Sequence, residues 1–225
     1  MRLILVRHGD PNYEKDCLTE LGHQQARAVA ERLMEEGIEE IYVSPQGRAM
    51  QTAQAFADLS GLGPMHILDF MHEIRFGKED ALYQSGNPWL VSFDLVRQGK
   101  DLQSREWKKY SEFAGNTAAV DADKVMNGVD EWLKTLGYRR EGLYYRCTSE
   151  KENERTLVLF SHAGSSTALL SRVFNISFPH MCVMLGYLAH TGITILQFDP
   201  TPGALTMPVM EVGADAGHLK ALKQN

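Results

Sequence analysis

Three short apolar runs restrict this chain to few architectures. Leu3-Ile4-Leu5-Val6, Ile41-Tyr42-Val43 and Thr156-Leu157-Val158-Leu159-Phe160 are too short for helices and contain no charge. A strand with one wet face alternates apolar and polar side chains. A continuous run fits a strand covered on both faces, as in parallel sheets. Helical patterns separate the runs. Thr19 predicts an N-cap for a helix from Glu20 to about Glu36, with Leu21, Ala28 and Leu33 apolar and Gly37 as its stop. Ser44-Pro45 opens a second helix running to about Leu59, ended by Gly61 and Gly63. Met65–Leu68 reads as another strand, Ser165–Phe174 as another helix, and Gly192–Phe198 and Met207–Val212 as later strands. This alternation predicts an α/β fold, a three-layer α/β/α sandwich around a mostly parallel sheet.

A length of 225 residues suits a single domain over 1–225. The stretch 77–154 shows no strand–helix repeat. It reads as a largely helical insertion, a cap or lid, with helices near Trp89–Val96 and Asp121–Leu136 and an extended piece at Gly142–Cys147. Tyr83, Trp89, Trp107, Tyr144 and Tyr145 within it are candidates to line a lid, although packing is the commoner role for such rings. The polar tail Lys220–Asn225 is expected to fray.

The net charge of −6 argues against nucleic acid or an anionic membrane as the main partner, so an anionic ligand would need a local cluster of positive charge. Cys17, Cys147 and Cys182 are odd in number and far apart, which fits reduced thiols rather than a disulfide framework. Leu3–Val6 is interrupted at once by Arg7 and His8, and no stretch approaches the length of a membrane span. A cytoplasmic location is the expectation.

The local cluster of charge is legible where the apolar runs end. Leu3–Val6 leads into Arg7-His8-Gly9, Ile41–Val43 into Ser44-Pro45-Gln46-Gly47-Arg48, and Thr156–Phe160 into Ser161-His162-Ala163-Gly164. Ligands of open parallel sheets bind beyond the carboxyl ends of the strands. If the three strands are neighbours, Arg7, Arg48, His8 and His162 meet at one edge and form a pocket for a dianion. Arg48 sits in the first turn of a helix, where a positive charge opposes the dipole and calls for an anion nearby. Arginine offers planar bidentate donors to phosphoryl oxygens, and a neutral imidazole can attack phosphorus. Phosphoryl transfer needs little else beyond an acid for the leaving oxygen. Glu73 follows the Met65–Leu68 strand and is the best candidate for that acid, with Asp69 and His72 as rivals. His23 reads as a surface residue, and His218 as a candidate for the pocket rim. There is no zincin helix, Walker loop or Gly-x-Ser-x-Gly elbow, and the histidines lack metal-ligand spacing.

These residues give the chain a family resemblance. Arg7-His8-Gly9, Leu18-Thr19 with Gly22 and Gln25-Ala26, Ser44-Pro45 with Arg48-Ala49 and Gln51-Thr52-Ala53, Glu73 with Phe76-Gly77, and Ser161-His162 with Gly164 occur in one order. In this the chain resembles the histidine phosphatase superfamily, also called phosphoglycerate mutase-like. The resemblance implies that His8 carries the phosphoryl group as phosphohistidine. It implies that Arg7, Arg48 and His162 hold the phosphate, and that Glu73 serves as acid and then as base, with no metal and no cofactor. Gly9 and Ala163 would add backbone contacts. Where many members carry a phosphate-contacting Asn, this chain has Glu14, and Asn12 is the candidate substitute. The Arg-rich segment with Tyr-Tyr that marks cofactor-dependent phosphoglycerate mutases does not follow Phe76-Gly77, and Ala163 stands where acid phosphatases and phytases carry Asp. The expected activity is hydrolysis of a small phosphorylated metabolite. Mutase-type transfer and non-catalytic binding of a phospho-ligand are the alternatives.

Overall fold

A computed structural model describes residues 1–77, 86–104, 106–220 and 222. Tyr83 and most of the Lys220–Asn225 tail lie outside the described residues. In chain order the elements are β1 (Arg2–Arg7), β2 (Pro11–Asn12), β3 (Cys17–Leu18), α1 (Glu20–Leu33), β4 (Glu40–Val43), α2 (Gly47–Ser60) and β5 (Met65–Ile67). There follow α3 (Pro88–Arg97), α4 (Thr117–Thr135), β6 (Tyr138–Glu141), β7 (Tyr144–Cys147), β8 (Thr156–Ser161), α5 (Ala163–Phe174), α6 (Phe178–Leu185), β9 (Ile193–Gln197), β10 (Leu205–Thr206) and β11 (Val209–Asp215).

The three apolar runs are the centre of one sheet, ordered β11-β9-β1-β8-β4-β5. β1 pairs parallel with β8, β8 with β4, and β4 with β5, while β9 and β11 add antiparallel to the other side. Leu3, Ile4, Leu5 and Val6 are each at most 2% exposed, so both faces of β1 are covered. Full burial of one such side chain contributes roughly 1.5–3 kcal/mol. Ile4, Val6, Val43, Val158 and Phe160 pack on one face with Val29, Ala30 and Leu33 of α1 and Ala49, Ala53 and Phe56 of α2. Leu3, Leu5, Leu157 and Leu159 pack on the other with residues of α3, α4, α5 and α6. This is the three-layer sandwich that the continuous runs predict.

Several boundaries differ from the sequence reading, each for a physical reason. The first helix ends at Leu33 with Met34 as its cap, before Gly37, whose φ of +65° lies in the turn beyond. Thr19 is its N-cap as predicted, accepting the Gly22 N–H at 3.0 Å. The second helix begins at Gly47, not at Ser44-Pro45; Gln46 is its extended N-cap, and the Ser44 hydroxyl is paired with His162. The segment 77–154 contributes α3 and α4, but its end is the hairpin β6–β7, which β10 extends to three strands. Trp89, Val91, Leu95, Trp107, Val125, Val129, Trp132 and Tyr145 of this segment belong to the same core cluster as Leu3 and Leu5. The strand predicted at Met207–Val212 is β11, which starts only at Val209, after Met207-Pro208, since proline has no N–H for a ladder, and runs on to Asp215. The sequence reading contained no helix at Phe178–Leu185. Among the described residues no single helix is long and apolar enough to cross a membrane; α5 and α6 are apolar but meet at 115°.

The loop after β1 is pressed onto the start of α1. A Cβ added at Gly22 would stand 2.2 Å from the Asp10 carbonyl oxygen, and one at Gly9 would stand 2.6 Å from the Gly22 carbonyl oxygen. Both contacts are with backbone, which cannot rotate away. Gly22→Ala is therefore expected to lower stability in urea denaturation by about 1–3 kcal/mol, and an unchanged midpoint would contradict this packing.

Candidate active site

His8 lies at the point where β1 ends. Its side chain is buried, and its Nδ1 stands 2.7 Å from the Gly9 carbonyl oxygen. A carbonyl only accepts, so Nδ1 carries the proton and Nε2 keeps its lone pair. That Nε2 is buried with no partner. Burial, aided by the nearby charges of Arg7 and Arg48 and by His190 and opposed by the Gly9 carbonyl, takes the His8 pKa down to about 3. The ring is therefore neutral in ordinary solution, with the lone pair on Nε2 unpartnered. The backbone beneath it is fixed: Gly9 N–H donates to Thr52 Oγ1 at 3.1 Å, Thr52 donates to the Arg48 carbonyl at 2.8 Å, and Asp10 N–H donates to Gln25 Oε1 at 2.7 Å.

Parallel register brings the other motifs level with His8. Arg7 is paired with Ser161 across β1 and β8, and Val43 with Phe160 across β4 and β8. The His162 ring centroid is 5.1 Å from that of His8, and its Nε2 is 2.7 Å from Ser44 Oγ. Burial, then the nearby His8, Arg48 and Arg7, hold the His162 pKa well below the ordinary value. Arg48 is buried, with Nη1 2.5 Å from Asp16 Oδ1 and its guanidinium 5.4 Å from the Tyr13 ring. Asp16 is thus the anion that a cation at this helix start requires. Arg7 donates through Nη1 to the Leu188 carbonyl. Burial lowers the Arg7 pKa, against the pull of Tyr13 and Glu73. Arg7 Nε, Arg48 Nε and His162 Nδ1, like His8 Nε2, are buried without partners. Unpaired buried polar atoms are rare and cost about 1–3 kcal/mol each. On these four residues, beyond the ends of neighbouring strands, such atoms can meet a ligand rich in hydrogen-bonding oxygens.

Glu73 is half-buried beside this cluster. Its Oε1 accepts three amides, Ile74 at 2.8 Å, Gly164 at 2.9 Å and Ser165 at 3.2 Å, and so caps α5 from a separate loop. A Cβ at Gly164 would lie 2.5 Å from that oxygen, which explains the glycine. Burial raises the Glu73 pKa, although the Ile74 amide, Arg7 and Arg48 oppose it. The loop is anchored by Gln46 Oε1, which accepts Glu73 N–H at 2.7 Å, and by Arg75, whose Nε and Nη2 donate to Asp121 of α4 at 2.8 and 3.0 Å. Glu73 opens on a cleft of about 340 Å³ lined also by Gln46, Asp69, His72, Arg75 and Lys124. Asp69 and His72 are exposed on its wall, so of the three acid candidates Glu73 alone is held against α5.

The remaining predicted residues are dispersed. Asn12 stands on β2 and its Oδ1 accepts Lys15 N–H at 3.1 Å. Ala163 is buried at the first position of α5, where an amide has no intrahelical acceptor. His23 is exposed. His218 lies behind the site, with Nε2 2.9 Å from Thr191 Oγ1. Trp89 stacks on Tyr187 at 5.4 Å, and Trp107 and Tyr145 are core residues, while Tyr144 is exposed. The three cysteines are free. Among the described residues no group of three or more His, Cys, Asp or Glu is arranged to hold a metal ion.

Sequence reasoning missed Tyr13, Asp16 and His190. His190 has its ring centroid 5.6 Å from that of His8. It precedes β9, and because β9 runs antiparallel beside β1 its starting end shares the edge where β1 finishes. The direction of β9 was the missing signal.

Residues 3–87 match the histidine phosphatase superfamily (branch 1). A probable phosphoglycerate mutase GpmB from Yersinia pestis (strain Pestoides F) is 39% identical over 229 residues, covering 97% of this chain and 95% of that protein. A protein of the same description from Enterobacter sp. (strain 638) is 26% identical, covering 98% and 96%. Among solved structures, mycobacterial glucosyl-3-phosphoglycerate phosphatase superposes with a TM-score of 0.63 at 22% identity, over 96% of this chain and 99% of that one. Phosphoserine phosphatase from Entamoeba histolytica superposes with a TM-score of 0.62 at 22% identity, over 97% and 98%. These two share the fold.

The tautomer of His8 can be observed directly. Long-range 1H–15N spectra are expected to show a neutral ring protonated on Nδ1 from about pH 8 down to about pH 5. A ring that titrates near its ordinary value would contradict the assigned environment.

Proposed function

Because the chain belongs to the histidine phosphatase superfamily, we propose that it is a phosphatase hydrolysing a small phosphomonoester through phosphohistidine on His8. The observation that carries this reading is the unpartnered His8 Nε2, set among unpartnered Arg7 Nε, Arg48 Nε and His162 Nδ1. The guanidinium groups supply bidentate positive charge for the phosphoryl oxygens. His162 accepts the Ser44 hydroxyl on Nε2 and donates from Nδ1. The His8 Nε2 lone pair attacks phosphorus, the N–P bond forms, and the P–O bond to the alcohol breaks. Glu73 gives its proton to the departing oxygen through Oε2, since Oε1 is occupied by amides. The Nδ1–H to Gly9 hydrogen bond disperses the charge gained by the ring. Water then attacks phosphorus, the Glu73 carboxylate takes its proton, and the N–P bond breaks to release orthophosphate and neutral His8. The reading draws its positive charge from this chain's own cations, without metal or cofactor.

One feature favours hydrolysis over retention of the phosphoryl group: Glu73 faces a cleft whose walls include exposed Asp69 and His72, so water can reach it. That cleft is of a size for the small metabolite that either reading requires. Mutase-type transfer is the second reading, favoured by the 39% identity to a probable phosphoglycerate mutase.

A phosphoester bearing 32P is expected to leave acid-labile label on the wild-type protein and none on His8→Ala; equal labelling of the two would overturn the assignment. Glu73→Gln is expected to lower kcat on an alkyl phosphate by about 10²–10⁴-fold. In kcat/KM, which reports only the step that phosphorylates His8, the loss on p-nitrophenyl phosphate should be much smaller, because that leaving group departs without a proton. A bisphosphoglycerate primer that makes isomerisation outpace phosphate release would establish the mutase instead.

A further inference from the structure

His190 has no role in the mechanism above, yet it packs against the nucleophile. Its ring centroid is 5.6 Å from that of His8 with the planes inclined by 34°. Its Nδ1 stands 3.5 Å from Asp10 Oδ1, and Asp10 is fixed in turn by the Thr19 hydroxyl at 2.6 Å and by Gln25. The turn that carries it is strained. Thr191 has a φ of +55°, a conformation β-branched residues rarely adopt, and is fully buried. It is held by its own N–H on the His8 carbonyl at 3.3 Å, its hydroxyl on the His190 carbonyl at 2.8 Å, and His218 Nε2 at 2.9 Å. Strained residues of this kind gather where a site needs a side chain in one place.

We propose that His190, backed by Asp10, is a further phosphate-binding residue that takes one proton from solvent as the dianion binds. The resulting imidazolium bridges the Asp10 carboxylate and a phosphoryl oxygen. This rests on the phosphatase reading of the same site. The charged and titratable groups around His190 are Arg7, His8 and Asp10. Without ligand, burial and Arg7 outweigh Asp10 and hold the ring neutral, with a pKa of about 4. A dianion among Arg7, Arg48 and His162 reverses the sign of that field and favours the charged ring. Since only the complex binds the proton, affinity must fall as pH rises through the pKa of His190 in the complex.

The test is calorimetric titration with inorganic phosphate between about pH 5.5 and 8, in buffers of different ionisation enthalpy. Glu73→Gln is compared with Glu73→Gln/His190→Asn, so that proton uptake by Glu73 and the ionisation of phosphate itself are common to both. The single variant is expected to take up close to one more proton per phosphate near pH 6. Its affinity should exceed that of the double variant by about tenfold there, a margin that closes at high pH. Asp10→Asn in the same background, which leaves His190 in place, is expected to reduce the uptake as well. Equal uptake and parallel affinity profiles in proteins of equal thermal midpoint would overturn this inference alone. Absence of phosphate binding to the wild-type protein would overturn it together with the phosphatase reading.

Discussion

The parallel pairing of β1 with β8 and of β8 with β4 sets the position of every candidate group. Its register puts Arg7 opposite Ser161 and Val43 opposite Phe160, so the three strands end level. A slip of one residue would turn each apolar run over and send Ile4 and Val6 to the face now filled by Leu3 and Leu5. Burial of both faces forbids that slip. The same burial that fixes the core therefore fixes the separation of His8 and His162, whose rings lie 5.1 Å apart although the residues are remote in sequence.

On this frame the site is built against its own electrostatics. Arg48 is buried with two histidines, Arg7 is half-buried beside them, and a nitrogen of each of the four residues is left unpaired. The molecule compensates locally. Asp16 answers Arg48, the Leu188 carbonyl answers Arg7, and the Glu73 carboxyl caps α5 while burial holds it ready to carry a proton. These contacts still leave Arg7 Nε, Arg48 Nε, His162 Nδ1 and His8 Nε2 with no partner inside the protein. The backbone is held by the N–H groups of Gly9, Asp10 and Leu18, which donate to Thr52, Gln25 and Gln51. The helical segment beyond Gly77 is tied in through the Arg75–Asp121 pair, which connects the Glu73 loop to α4.

Much of this was legible from residue order alone. The continuous runs at Leu3, Ile41 and Thr156 specify a covered parallel sheet, and the residues after them meet at the carboxyl ends of its strands. Thr19 and Gly61 mark helix ends correctly because capping is local chemistry. What failed to show depended on long-range partners. The second helix starts late, at Gly47, and Ser44 pairs with His162, more than a hundred residues away. His190 and Asp16 were invisible because each reaches the site through an element whose direction or curl only tertiary pairing decides. Asp16 adopts φ +47° at the tip of the β2–β3 hairpin, and no pattern in Lys15-Asp16-Cys17 announces a partner for Arg48. The lone glycines of the family resemblance acquired reasons, since Gly22 and Gly164 each sit where a Cβ would strike the Asp10 backbone or the Glu73 carboxylate.

The central claim is that the unpartnered atoms around His8 form one binding site for a transferring phosphoryl group. A crystal structure with orthovanadate, which adopts the five-coordinate geometry of that transfer, tests it most directly. The account predicts vanadium bonded to His8 Nε2, with its oxygens on the guanidinium groups of Arg7 and Arg48 and on His162 Nδ1. Vanadate seated elsewhere, with His8 Nε2 still unpartnered, would contradict it.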